Sequence, residues 1–283
     1  MPVLPSVPPA AAAAGYKMLT FGPQMIVGAF PGDTGNWERF NFFGSDWTKQ
    51  PITINSDGSV VMYANGANNY AAMLCSAHLS KGTTPLPFGG VAFGGGAYFE
   101  AIMSFILDTI TGGPAFWTWP IEALTQSGSA TTHWPGQAAD YGDFVEIDFA
   151  EFYPGIASEQ INTSLLNWYG NTGQSLGEGN IPRVSGIDWN QPHKYGFLWT
   201  PATATTQGSG KWFLDDQPIG ITVTWNLYDP TLPPPPVYPG SAFSVLDKTH
   251  LALILGNFQN VTNPVTVHGV SVWQASAANN LVV

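Results

Sequence analysis

Glycine and proline interrupt this sequence so often that long helices are excluded: 32 glycines and 24 prolines are spread over 283 residues. Inside a helix a glycine costs about 1 kcal/mol and a proline about 3 kcal/mol relative to alanine. Between these breaks lie short runs rich in Val, Ile, Phe, Tyr, Trp and Thr, the residues that fit a pleated, half-buried surface. No stretch sustains a 3.6-residue apolar period. Strands are expected at Ala97–Leu107, Gly142–Tyr153, Ile161–Tyr169, Tyr195–Trp199, Lys211–Asp215, His250–Asn257 and Val267–Gln274. Ile52–Met62 reads as a hairpin turning at Asp57-Gly58. One short helical turn is expected near Ile121–Thr125. Strands recurring in this way predict an all-β, antiparallel β-sandwich.

The domain count follows from the same spacing. Asp229–Gly240 holds four consecutive prolines, Pro233 to Pro236, and resembles a linker. Only two clear strands follow it, too few for an independent core. It is read as a surface loop within one domain spanning 15–283, with residues 1–14 expected to be poorly ordered.

Charge narrows the partners. Eight Lys and Arg face 19 Asp and Glu, a net charge of −11. Phosphate binding needs a basic stripe that eight scattered cations cannot form, so nucleic acid is excluded and an anionic membrane surface disfavoured. No apolar run approaches the roughly 18 residues that span a bilayer. Cys75 is the single cysteine, which excludes an intrachain disulfide, and it reads as a buried small hydrophobe. The five histidines are dispersed, with no metal-ligand spacing among them. A neutral substrate fits best, acting on a chain read as a monomer.

The sharpest local feature is Glu146-Ile147-Asp148-Phe149-Ala150-Glu151. Three carboxylates in six residues of an apolar strand are costly, because each charge removed from water loses several kcal/mol of hydration. Side chains alternate along a strand, so Glu146 and Asp148 share one face while Val145, Ile147 and Phe149 share the core face. Glu151, five positions from Glu146, would point into the core of a regular strand. One extra residue near Phe149-Ala150, a β-bulge, returns it to the carboxylate face and turns Phe152 inward. Two carboxylates on one cleft are what glycoside hydrolysis requires: one attacks or directs water and the other protonates the leaving oxygen. Hard oxygen ligands of this kind also suit Ca²⁺.

Aromatic residues supply candidate sugar platforms. Trp117 and Trp119 lie two apart on one strand and face the same way. Trp168 follows the carboxylate strand, and His133 and Trp134 precede it. Trp199, Trp212 and Trp273 read as core.

The carboxylate segment resembles the active-site strand of glycoside hydrolase family 16 in its bulged form, E-x-D-x-x-E. Further segments resemble that family in order and spacing over roughly residues 35–275: Gly96–Ala101, Gly113–Trp117, His193–Pro201, Lys211–Asp216 and Val270–Gln274. The resemblance implies a β-jelly-roll of the concanavalin A-like kind, with its cleft on the concave sheet and a retaining mechanism. It implies Glu146 as nucleophile, Glu151 as general acid/base and Asp148 as the residue that orients and tunes the nucleophile. It also implies endo-cleavage of a polysaccharide, with a neutral β-1,3- or mixed-linkage glucan the leading candidate. No cofactor is expected beyond a structural Ca²⁺, for which no ligand set is evident. Because polymers lie outside cells, secretion is expected. A transglycosylase or a carbohydrate-binding jelly roll would share the scaffold. Two departures stand out. Ile102 occupies a position where the family often has Arg, and Leu166-Asn167-Trp168 stands where it often has a His-x-Trp pattern. Asn167 joins the binding candidates from that run.

Overall fold

Alternating apolar residues give each strand a face to bury, and two sheets meeting on those faces form a sandwich about 10 Å thick. The computed structural model describes residues 5–25, 27, 36–39, 52–63, 72–79, 88–106, 113–124, 143–152, 159–169, 174–229, 231, 242–257 and 263–282. Strands are numbered in chain order. The first sheet runs β15 (Gln217–Trp225), β14 (Gly208–Leu214), β13 (His193–Thr200), β8 (Ala97–Phe105), β17 (Val265–Gln274), β4 (Val60–Met62) and β3 (Ile52–Ile54), with β1 (Met18–Phe21) also on β17. The second runs β12 (Gln174–Asn180), β11 (Asn162–Tyr169), β10 (Asp143–Glu151), β9 (Pro114–Pro120), β16 (Leu251–Asn257), β5 (Ala72–Cys75) and β2 (Glu38–Arg39). A small sheet joins β18 (Leu281–Val282), β7 (Phe88–Ala92) and β6 (Ala77–Leu79). The pairings between these strands are antiparallel, as the sandwich reading required.

The core lies between the two large sheets. Ala97, Phe99, Ala101 and Met103 of β8 face Val145, Ile147, Phe149 and Leu165 of β10 and β11 within one apolar cluster. Phe149 is wedged among Phe99, Phe116 and Phe197, at centroid distances of 5.2, 4.5 and 5.2 Å. Burying an aromatic ring of this size contributes about 1.5–3 kcal/mol. Trp199 and Trp212 are fully buried in the same cluster, as expected. Trp273 is also buried, but on the other side of the first sheet.

That difference traces to the N-terminus. Pro9–Ala13 form a short helix, α1, where the Pro/Ala composition suggested poor order. Proline suits the first helical turn, where no N–H partner is needed. Ala11 packs with Tyr16, Tyr98, Phe213 and Trp273 on the outer face of the first sheet, and the Tyr16 hydroxyl donates to the Trp199 carbonyl at 3.0 Å. This apolar contact supplies the order that composition alone did not predict.

The hairpin at Asp57-Gly58 is present, with Gly58 at φ +88°. The short helix is present as α2, Ile121–Leu124. Nearly all of the proline-rich segment, residues 230 and 232–241, lies outside the described residues. Cys75 is buried, and desolvation pushes its thiol up to about 12.

Candidate active site

The bulge foreseen in β10 is present, and it decides the site. Against β9, Asp148 pairs with Trp117 and Ala150 with Phe116, which leaves Phe149 as the extra residue. Against β11, Asp148 pairs with Ser164 and Glu151 with Asn162. Val145, Ile147, Phe149, Ala150 and Phe152 all enter the core cluster. Glu146, Asp148 and Glu151 are left together on the opposite face.

Each carboxylate receives one neutral donor from β11. The Trp168 indole N–H donates to Glu146 Oε2 at 2.7 Å. The Ser164 hydroxyl donates to Asp148 Oδ2. The Asn162 side-chain amide donates to Glu151 Oε2 at 2.8 Å. Beneath the bulge, Trp212 reaches from the facing sheet and donates through Nε1 to the Asp148 backbone carbonyl at 2.8 Å. The protein thus satisfies a buried carbonyl where the ladder is broken.

Burial and mutual repulsion set the electrostatics. Asp148 is 6 % exposed. Desolvation, then the charge of Glu151, raises its carboxyl to about 7. Desolvation and the charge of Asp148 raise Glu146 well above the ordinary carboxylate range, while the Trp168 hydrogen bond opposes them. Desolvation also raises Glu151, with the Asn162 hydrogen bond opposing. Among the described residues no cation offsets the trio, so it titrates as a coupled set that retains a proton near neutrality. One protonated and one ionised carboxyl on a single face can deliver a proton and a nucleophile together.

The other candidates divide. Trp168 lies on the carboxylate face, half-buried. Trp117 lies there too, level with Asp148, but it is only 3 % exposed and packs with Cys75, Ile121 and Ile254. It is corrected from a sugar platform to part of an apolar cluster. Trp119 is half-buried beside it, edge-on at 5.7 Å between centroids, and keeps an accessible portion. Asn167 is a second correction. It alternates with Trp168, so it faces the core, fully buried, and its amide donates to the Ala242 carbonyl. It has no surface to offer a ligand. His133 and Trp134 lie outside the described residues. Ile102 shares a face with Tyr98 and Glu100 on the outer side of the first sheet, so the missing Arg does not bear on the carboxylate face. Leu166 sits opposite Glu146 and cannot donate to it.

Sequence reasoning missed the donor row. Asn162 and Ser164 lie level with Glu151 and Asp148, so strand pairing was the signal that could have found them. Among the described residues no group of three or more His, Cys, Asp or Glu is arranged to hold a metal ion.

No protein-family model and no curated protein matches the sequence. Solved structures do. An endo-glucanase of glycoside hydrolase family 16 from Bacteroides ovatus superposes with a TM-score of 0.52 at 14 % identity, over 83 % of this chain and 94 % of that one. The fold is that of glycoside hydrolase family 16. An immunostimulatory antigen and pseudo β-1,3-glucanase of Mycobacterium tuberculosis superposes at 0.53 and 14 % identity, covering 90 % and 98 % of the two chains. A GlcNAcα1-4Gal-releasing endo-β-galactosidase from Clostridium perfringens gives 0.54 at 16 % identity over 84 % of this chain, which spans 58 % of that protein's length. In this family 16 fold the carboxylates lie on the outward face of the second sheet, level with the bulge.

Proposed function

We propose that the protein is a retaining, endo-acting glycoside hydrolase that cleaves internal β-linkages of a neutral polysaccharide, a β-1,3- or mixed-linkage glucan. The observation that carries this reading is the bulge, which brings Glu146, Asp148 and Glu151 to one face, each with its own neutral donor.

The chemistry follows from the coupled carboxyls. The Glu146 carboxylate attacks the anomeric carbon as the glycosidic bond breaks, and the Glu151 carboxylic acid gives its proton to the departing oxygen. Water then loses a proton to the Glu151 carboxylate and displaces Glu146, restoring both groups. Asp148, held by Ser164, shares charge with both neighbours and favours the arrangement in which one is ionised and the other protonated.

The substrate is argued from charge. Uncompensated carboxylates repel sulfated or uronic chains, whose anions favour Arg and Lys partners. A polymer substrate places the enzyme outside the cell, and no bound cofactor enters the steps.

The test is reducing-end release from laminarin, barley mixed-linkage glucan, agarose and carrageenan, with Glu146→Gln as the blank. Release from a neutral glucan, lost by three orders of magnitude or more in the variant, is the result expected. Release that survives in Glu146→Gln overturns the mechanism. Binding without any release transfers the reading to a carbohydrate-binding jelly roll.

A further inference from the structure

Glu146 faces a difficulty that its two carboxylate neighbours do not. Asp148 and Glu151 each lie level with a polar residue on β11, Ser164 and Asn162, and each receives a hydrogen bond straight across the ladder. The residue level with Glu146 is Leu166, which has no donor. The donor comes instead from the next side chain on that face. Trp168 lies two positions beyond Leu166, level with Phe144, and its indole N–H reaches back to Glu146 Oε2 at 2.7 Å. A long, planar side chain with two torsions is suited to that diagonal, since diagonal neighbours across a strand pair lie about 7–8 Å apart.

We propose that Trp168 is a positioning residue for Glu146: its indole N–H, taken from the diagonal place because Leu166 is empty of donors, fixes the attacking oxygen and favours its charged form against the carboxylates beside it. The inference rests on the hydrolase reading for the word "attacking". The hydrogen bond and its effect on ionisation stand apart from it.

The surroundings make the contact matter. The groups facing Glu146 are Asp148 and Glu151 on its own strand. On β11 they are Ser164, Leu166 and Trp168, and on β9 Trp117 and Trp119, none of which is charged. With no cation among the described residues turned to this face, a single N–H is the principal favourable partner of the charged form. This contact uses the edge of the indole, which distinguishes the role from sugar stacking, a use of the ring face.

The test reads the hydrogen bond directly. In ¹⁵N-labelled protein, the tryptophan indole resonances are followed from pH 4 to pH 9 in the parent, Glu146→Gln and Trp168→Phe. One indole resonance, absent from Trp168→Phe, is expected to shift with pH in the parent and to stop shifting in Glu146→Gln. If Trp168→Phe does not fold, the parent and Glu146→Gln still decide the matter. On a soluble glucan, Trp168→Phe is expected to lower kcat about 10- to 100-fold with KM within twofold. Its acidic limb of kcat/KM should move upward by about one pH unit. An indole that does not titrate overturns the inference, and so does a Trp168→Phe profile matching the parent's. A titrating indole in a parent that releases no sugar supports the contact and overturns the hydrolase reading alone.

Discussion

Trp212 spans the core to hold Asp148: its indole, rooted in β14 of one sheet, donates to the backbone carbonyl of Asp148 at the bulge of the other, 2.8 Å away. The sandwich interior therefore carries a direct link between the facing sheet and the backbone that aims the carboxylates. Replacing Trp212 by Phe keeps an aromatic ring and removes the donor. A buried carbonyl left unsatisfied costs about 1–3 kcal/mol. Chemical denaturation should show a loss of that size. Activity measured well below the melting temperature should fall with it, because the bulge sets where Glu151 points. Full activity in a destabilised Trp212→Phe protein would show that the bulge holds its shape without the clamp.

The carboxylate trio makes a signed prediction about pH. Burial raises the pKa values of all three groups, and neighbouring carboxylates raise those of Glu146 and Asp148 further, so the folded state binds protons more tightly than the unfolded chain does. Stability contributed in this way is complete below about pH 4 and is lost as pH rises through the folded values, near 7 for Asp148. The triple variant Glu146→Gln, Asp148→Asn, Glu151→Gln keeps acceptors for Trp168, Ser164 and Asn162 but carries no charge. It should melt above the parent at pH 8 and close to it at pH 4. A constant difference across that range would contradict the assignment.

A second buried carboxyl stands apart from the site. Glu100 is 4 % exposed on the outer face of the first sheet, and its Oε2 has no hydrogen-bond partner. Desolvation raises it to about 7, against the attraction of Lys194. Glu100→Gln should therefore gain on the order of 2–3 kcal/mol at pH 8 and little at pH 4. Turnover should not change, since the residue is on the other sheet from the carboxylates. Urea midpoints at the two pH values check the first claim.

Asp247 ties three elements together. It accepts the indole N–H of Trp199 at 3.0 Å, that of Trp225 at 2.9 Å and the Ala202 amide at 2.9 Å. An asparagine there would set its own NH₂ against one of those donors. Asp247→Asn should cost about 2–4 kcal/mol in urea unfolding, whereas a loss below 1 kcal/mol would mean the network relaxes around it.

These residues also show what could be read before the structure. The bulge was legible because Glu151 lies five positions from Glu146, an odd spacing that a regular strand would turn inward. Alternation likewise assigned Val145, Ile147 and Phe149 to the core, where they are. It should have separated Asn167 from Trp168, which face opposite ways. What alternation cannot supply is what covers a face. Trp117 was correctly sided and still proved buried, because its neighbours Cys75 and Ile254 come from strands distant in sequence. Among the strands that the sequence reading did not name, two are interrupted by helix- and strand-breaking residues. Gln174–Asn180 carries two glycines and no β-branched or aromatic residue, while Gln217–Trp225 opens with Pro218 and Gly220 before a run of Ile, Thr, Val and Trp. They are edge strands, paired with β11 and β14.

The short helix Pro9–Ala13 and Tyr16 cover Tyr98, Phe213 and Trp273, an aromatic patch on a sheet face that would otherwise meet solvent. A shortened chain beginning near Lys17 would keep the three carboxylates of the candidate site and their donors Asn162, Ser164 and Trp168. It would also present three large rings side by side, the kind of exposed surface on which separate molecules adhere to one another. The segment from Pro9 to Tyr16 thus bears on whether the protein stays dispersed at high concentration, a property that an activity assay in dilute solution does not register.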